Sequence, residues 1–102
     1  MENQHEGELS MKQFTYTIQD PNGMHARPAG ALATFAKQFV SDIHVRAGEK
    51  NADAKRLLSL MSLGAVHGTE LTFSVEGVDE EAAEVELKAF LTKQSTERTT
   101  HA

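Results

Sequence analysis

The sequence contains no cysteine, which excludes disulfide bonds, thiolate catalysis and cysteine-ligated zinc. Positive charge is also scarce, because 10 lysines and arginines stand against 15 aspartates and glutamates, for a net charge of −5. There is no basic stripe or exposed aromatic platform, so no nucleic-acid partner is expected. No apolar run approaches the length of a transmembrane helix, and the N-terminal segment is acidic rather than basic and then apolar. These absences predict a cytoplasmic protein that does not insert into membranes.

The chain is also too short for more than one domain. A chain of 102 residues buries only about 60–65% of the surface that it exposes when unfolded. A deep, enclosed active site is therefore not expected. A site on the surface, used while the protein is docked against a partner, suits this length better.

The spacing of apolar residues changes several times along the chain. Alternation at every second residue predicts strands at about residues 13–18, 42–47 and 71–75. Residues 50–54, which have little bulk on either face, form a weaker fourth strand candidate. Helical spacing predicts three helices, at about residues 26–39, at 57–63 and from an N-cap at Asp79 onward. The order is βαββαβα. Strands with one apolar side imply an α+β fold, with a four-stranded antiparallel sheet and three helices on one face.

Two polar segments without periodicity flank this pattern. Residues 1–12 are predicted to form a disordered N-terminal tail, and residues 94–102 a flexible C-terminal tail. The folded domain is therefore expected to span residues 13–93.

The most informative segment is Gly23–Gly30, in which a histidine and an arginine lie where a loop becomes a helix. Proline is tolerated in the first turn of a helix, so Pro28 predicts a helix start near Ala26 or Arg27. His25 then lies at or just before the helix N-terminus. The backbone N–H groups are unpaired there and the helix dipole is positive, which favours an anion.

A histidine beside an anion site suggests phosphate chemistry. The neutral imidazole of His25 is a nucleophile, and its phosphorylation gives a labile phosphoramidate. The N–H groups of the first helical turn and the guanidinium of Arg27 can bind the oxygens of the phosphoryl group. The alternative is a histidine that only caps the helix. The combination of glycine, histidine, arginine and proline, each with its own physical role, favours the phosphate interpretation.

Segment Gly23–Ala29 resembles the active-site motif of the HPr family, the histidine-containing phosphocarriers of the phosphoenolpyruvate-dependent sugar phosphotransferase system (PTS). A second segment, Leu57–Ala65, resembles that family's second signature, which ends in Met-Ser-Leu-Gly. The resemblance covers about residues 13–91 and implies an open-faced β-sandwich. It implies that His25 is phosphorylated on Nδ1 by enzyme I and passes the group to sugar-specific enzyme IIA domains. It also implies that Arg27 contacts the phosphoryl group.

By the same resemblance, the catalytic machinery lies largely in the partner proteins. The chain is then a carrier with a covalent phosphohistidine intermediate rather than a free-standing enzyme, and no cofactor is expected. We expect the carrier to be a monomer.

The short helix at residues 57–63 has bulky apolar side chains on more faces than one core can bury. Leu58 and Met61 share a face because they are three residues apart. An outward face would form an apolar patch suited to docking, and these two positions match partner contacts in the family. We also assign Met24 and Leu57 to this partner-binding surface. The alternative is a helix that is buried on all sides.

Aligning the second signature without gaps sets Arg56 where many Gram-positive family members carry a regulatory serine. Those members are phosphorylated there by an ATP-dependent kinase. Because arginine has no hydroxyl group, that control cannot operate in this chain. We include Arg56 among the partner-binding residues, where it either meets an acidic patch on a partner or persists by drift.

Two other functions stay open. A nitrogen-regulatory phosphocarrier would use the same histidine chemistry. A regulatory docking module on the same fold is disfavoured, because such family members have lost the histidine and kept the serine. No metal site is predicted, since the remaining histidines lack the spacing of metal ligands; they are His5, His44, His67 and His101.

Overall fold

The computed structural model describes the backbone of residues 11–101 and the side chains of residues 11–93. Strands and helices follow one another in the predicted order βαββαβα. The strands are β1 (Lys12–Thr17), β2 (Asp42–Ala47), β3 (Lys50–Asp53) and β4 (Glu70–Glu76). The helices are α1 (Ala26–Ala36), α2 (Leu57–Met61) and α3 (Glu80–His101).

The four strands form one sheet in the order β1-β4-β2-β3, and every neighbouring pair is antiparallel. The predicted α+β fold, with a four-stranded antiparallel sheet and three helices, is confirmed. The core lies between the sheet and the helices, because alternate residues of β4 and the inner faces of α1, α2 and α3 belong to one buried cluster. Phe73 lies at the centre of β4, is fully buried and stacks on Phe14 at 4.9 Å between ring centroids.

The first two helices are shorter than predicted. α1 ends at Ala36 rather than near Phe39, and α2 ends at Met61 rather than Leu63. The N–H of Phe39 donates to the carbonyl of Ala36, and the N–H of Leu63 donates to the carbonyl of Leu60. Both bonds span three residues, so the last turns tighten beyond the α-helical geometry. Apolar spacing continues through such turns, which is why periodicity overestimates the helix length.

The predicted domain limits differ slightly from the observed elements. Strand β1 begins at Lys12, one residue before the predicted domain start. The helical backbone of α3 continues to His101, through most of segment 94–102 for which a flexible tail was predicted. Residues 1–10 of the predicted N-terminal tail lie outside the described residues. Within residues 11–101, no helix is both long and apolar enough to cross a membrane.

Asp79 joins the start of α3 to the loop before β2. Its carboxylate accepts hydrogen bonds from the backbone N–H groups of Val40 and Ser41, both at 2.9 Å, and from the Ser41 hydroxyl. The bond from the Ser41 hydroxyl is the main reason that the pKa of Asp79 lies below its usual value, and the two backbone bonds act in the same direction. Asp79 precedes α3 as predicted, but its carboxylate binds a different part of the chain.

Candidate functional site

The loop before α1 is shaped by a tight turn. The N–H of Gly23 donates to the carbonyl of Asp20 at 2.9 Å, and the N–H of Asn22 donates to the Asp20 carboxylate at 2.8 Å. Gly23 has a φ of 73°, a conformation that non-glycine residues rarely adopt. The turn therefore depends on the glycine of the first motif.

The same loop lies directly against the segment that follows α2. Met24 donates its N–H to the carbonyl of Ala65 at 2.9 Å. A Cβ atom at Gly23 would lie 2.5 Å from that carbonyl oxygen and 2.9 Å from the Cα of Val66. Because these contacts are with backbone atoms, a larger residue would force the loop away. Ala65 is the last residue of the segment that resembles the second signature, so this close approach brings the two motifs together.

His25 occupies the N-cap position of α1. Its backbone is extended, with φ −95° and ψ −174°, and its carbonyl accepts the N–H of Ala29 at 3.0 Å. The imidazole forms no capping hydrogen bond, so the side chain does not serve as a helix cap. The side chain is 37% exposed, and its Nε2 atom lies 3.2 Å from Oδ2 of Asp20.

The first turn of α1 is open to an anion. The N–H groups of Ala26 and Arg27 have no hydrogen-bond partner among residues 11–93, and Pro28 has no N–H to satisfy. The turn contains no acidic side chain that would offset the positive end of the helix dipole. Arg27 is exposed and forms no ion pair within the same residues. A phosphoryl group on the adjacent histidine would therefore find several unoccupied donors.

Helix α2 is divided into an inner and an outer side. Leu60 is fully buried, whereas Leu58 is 79% exposed and Leu57 and Met61 are each 38% exposed. The alternative of a helix buried on all sides is therefore wrong. Met24 is half-buried and packs against the core. The bond between Met24 and the segment after α2 brings this outer side next to the loop of the histidine.

Arg56 lies at the N-cap position of α2. Its carbonyl accepts the N–H of Leu60 at 3.0 Å, while its side chain is exposed and forms no capping bond. A cation at this helix end costs about 0.3–1 kcal/mol. The nearby carboxylate of Asp53 accepts the N–H of Lys55 at 2.9 Å, and no ion pair between Asp53 and Arg56 is present in the described part of the chain. The guanidinium is therefore available to a partner.

Two residues of this site were not singled out from the sequence. Asp20 was counted only as part of a turn, although its carboxylate reaches the ring of His25. Val66 is 63% exposed and adjoins Gly23, so it extends the apolar surface beside the loop. A turn motif that contains an acidic residue five positions before a motif histidine could have pointed to Asp20. Nothing in the local sequence distinguishes Val66 from an ordinary loop residue.

Comparison with known proteins identifies the arrangement. The family model "PTS HPr component phosphorylation site" matches residues 12–93. The chain belongs to the HPr family. Membership makes it a phosphocarrier of the phosphotransferase system, in agreement with the two motifs and with the open helix end beside His25.

Individual HPr proteins support the assignment. The chain is 43% identical to the phosphocarrier protein HPr of Buchnera aphidicola over 82 residues, which cover 80% of this chain and 96% of that protein. It is 43% identical to the HPr of Lysinibacillus sphaericus over 83 residues, covering 81% and 94%. A solved histidine-containing phosphocarrier protein from Mycoplasma superposes with a TM-score of 0.79 at 33% identity, covering 82% of this chain and 96% of that one.

Proposed function

We propose that this chain accepts a phosphoryl group on Nδ1 of His25 from phosphorylated enzyme I, ultimately from phosphoenolpyruvate, and passes it to enzyme IIA domains in sugar uptake. The observation that carries the proposal is the position of His25. It lies at a helix N-terminus, its ring is not used for capping, and its Nε2 atom faces a carboxylate. Nδ1 has no hydrogen-bond partner among the described residues.

The surroundings of His25 fit the charge of the group that it would carry. The N–H groups of Ala26 and Arg27, together with the Arg27 guanidinium, can bind phosphoryl oxygens. The helix fixes the two backbone N–H groups before transfer, so they stabilise the charge that develops on these oxygens without reorganisation. Because the site lies on the surface, the second reactant must come from a docked partner.

We propose that partners dock on a surface formed by Met24, Leu57, Leu58 and Met61, which we call the α2 surface. Its support is the exposure of Leu57, Leu58 and Met61 on a helix whose inner side is buried. The half-buried Met24 adjoins them through its bond to the Ala65 carbonyl. Arg56 adds a positive charge at its edge, which fits an acidic patch on a partner. Because a serine is absent at this position, we propose that the carrier is not controlled by the serine kinase.

We further propose that the protein acts as a monomer in the cytoplasm. A carrier that exchanges its phosphoryl group with several partners in turn must present the same small surface to each of them. A single copy leaves that surface accessible. Size-exclusion chromatography with light scattering would test the monomer, and fractionation of cells would test the location.

The proposal is tested with purified protein, radiolabelled phosphoenolpyruvate and enzyme I of either the sugar or the nitrogen-regulatory system. We expect labelling with the sugar-type enzyme, and a product that is labile in acid and stable in alkali. His25→Ala should abolish labelling, while His67→Ala, which removes another exposed histidine, should not. Labelling of His25→Ala would contradict the assignment, and faster labelling by the nitrogen-regulatory enzyme would move the chain to that branch.

A further inference from the structure

Two contacts of the Asp20 carboxylate bear on His25. Its Oδ1 atom accepts the N–H of Asn22 at 2.8 Å, and its Oδ2 atom lies 3.2 Å from Nε2 of His25. The Asp20 side chain is only 12% exposed, compared with 37% for His25. The bond to Asn22 orients the carboxylate, and its limited exposure reduces competition from water for the second oxygen.

An ionised carboxylate can only accept hydrogen bonds. The close contact therefore requires Nε2 of His25 to carry the proton, which leaves the lone pair of the neutral ring on Nδ1. We infer that Asp20 is a positioning residue that holds His25 in this tautomer and keeps Nδ1 as the nucleophile. The inference rests on the proposed function of His25 as the phosphoryl acceptor.

The same contact acts during transfer. The Nδ1 lone pair forms the bond to phosphorus while the bond from phosphorus to the donor breaks, and the electrons of that bond leave with the donor. The ring of His25 gains a positive charge that is shared with Nε2–H, whose proton stays in place. That charge faces the Asp20 carboxylate, which stabilises it as the buried aspartate of a catalytic triad stabilises an imidazolium. When the phosphoryl group is passed on, the bond from Nδ1 to phosphorus breaks, its electrons return to Nδ1, and the ring is neutral again.

Two substitutions separate this role from a purely structural one. In Asp20→Asn, the amide oxygen can keep the bond from the Asn22 N–H, which directs the amide NH2 group toward Nε2 of His25. Nε2 would then have to accept, so the proton would move to Nδ1. Asp20→Ala removes both contacts and leaves the ring free to sample both tautomers. A structural role predicts that the Ala variant is worse, whereas the positioning role predicts that the Asn variant is worse.

The direct measurement is NMR of the imidazole nitrogens in alkaline buffer, where histidine rings are neutral. We expect the native protein to show the Nε2–H tautomer, Asp20→Asn mainly the Nδ1–H tautomer, and Asp20→Ala a mixture. Phosphorylation by enzyme I should be fastest in the native protein, slower in Asp20→Ala and slowest in Asp20→Asn. If about nine-tenths of the Asn variant is in the wrong tautomer, its rate falls about tenfold, because only the competent fraction reacts.

Asp53→Asn is the matched control. The carboxylate of Asp53 also accepts the N–H two residues later, from Lys55 at 2.9 Å, but it has no contact with His25. This variant should leave the tautomer unchanged. An Asp20→Asn protein that keeps the Nε2–H tautomer and the native rate would overturn the inference.

The tautomer measurement needs no phosphoryl donor, so it separates the inference from the proposed function. If His25 is never labelled by enzyme I but the tautomers change as expected, the proposed function fails and the contact of Asp20 with the ring stands. If His25 is labelled and the tautomer is the same in all three proteins, the proposed function stands and the positioning role of Asp20 is wrong.

Discussion

The three helices differ in how the unpaired N–H groups and the positive dipole at their N-termini are compensated. Helix α3 begins with two acidic residues, Glu80 and Glu81, and the Glu80 carboxylate accepts the N–H of Gly77 at 3.0 Å. Helices α1 and α2 have no acidic residue in the first turn and no side-chain cap, and their N-cap positions hold His25 and Arg56. The charges at the start of α3 therefore complement the positive end of the helix dipole, whereas those at the starts of α1 and α2 do not.

This difference separates structure from function. The start of α3 lies apart from both sequence signatures, and its acidic residues stabilise the helix end. The starts of α1 and α2 lie in the two signatures, and both keep local charge unfavourable. Local rules of stability are commonly broken at functional sites, where another molecule supplies the missing interaction. A phosphoryl group would do so at α1, and an acidic partner surface at α2.

The largest expected effect concerns the packing of α2, which has no side-chain cap. If α2 is held by its inner side, Leu60→Ala should lower the free energy of unfolding by about 2–5 kcal/mol. Met61→Ala on the outer side should lower it much less, and should instead weaken the affinity for enzyme I by about 2 kcal/mol. Denaturant unfolding and calorimetric titration measure the two quantities. A large loss of stability in Met61→Ala would assign this side chain to the core.

The next largest effect concerns Asp79 at the start of α3. Asp79→Ala should lower the free energy of unfolding by about 1.5–3 kcal/mol at neutral pH, because it removes hydrogen bonds to a charged group and leaves the buried Ser41 hydroxyl without that acceptor. Phosphorylation of His25 should continue at the native rate once the variant is folded. A variant with native stability would show that this end contributes little.

The same substitution has a defined pH dependence. The pKa of Asp79 is lower in the folded protein than in the unfolded chain, where it is about 3.9. Its contribution to stability is therefore complete above that value and is lost as the pH falls through the folded-state pKa. The difference between the native protein and Asp79→Ala should be constant above about pH 5 and shrink below it. A difference that persists unchanged into strong acid would contradict a charge-dependent contribution.

Arg27 tests the open end of α1. A guanidinium at an exposed site contributes about 0–1 kcal/mol to stability, but it can make paired hydrogen bonds to a phosphoryl group that lysine cannot copy. Arg27→Lys should therefore slow phosphotransfer markedly while the melting temperature stays almost unchanged. Single-turnover kinetics with phosphorylated enzyme I measure the effect. Equal rates in the two proteins would remove Arg27 from the mechanism.

Arg56 gives the smallest and most specific effect. Arg56→Ser replaces a cation at a helix start with a residue that can cap it, so the free energy of unfolding should rise by about 0.5–1 kcal/mol. If Arg56 faces an acidic partner surface, phosphotransfer should slow at low salt and much less at high salt. Arg56→Gln removes the charge without adding a cap, so it should reproduce the salt effect with a smaller gain in stability. An unchanged rate at both salt concentrations would leave Arg56 a neutral loss of the regulatory serine.

Features that depend on neighbouring residues were predictable from the sequence. The order of strands and helices follows from the period of the apolar residues. The position of His25 at the start of α1 follows from Pro28, which can stand only in a first turn. The shared face of Leu58 and Met61 follows from their spacing on a helix, although only the structure shows that this face is outward. Each of these inferences needs only a few consecutive residues, because backbone geometry repeats over that distance.

The hydrogen-bond partners of individual side chains were not predictable in the same way. Asp79 was expected to cap α3, yet its carboxylate binds the backbone of Val40 and Ser41, 39 and 38 residues away. Asp20 was recognised as a turn residue, but only the folded loop directs its second oxygen to His25. Each carboxylate could have accepted hydrogen bonds from several different donors, and the sequence alone does not show which donors it binds.

The sequence by itself determined the fold class, the family and the place of His25 at the start of α1, where we propose that the chemistry occurs. The tertiary structure decided which groups surround that residue. It brought the loop of His25 against the segment after α2, through a contact that only glycine at position 23 allows, and it divided α2 into a buried and an exposed side. The physical reason is that periodicity and turn chemistry act between near neighbours, whereas hydrogen-bond partners and packing are chosen only when distant segments meet.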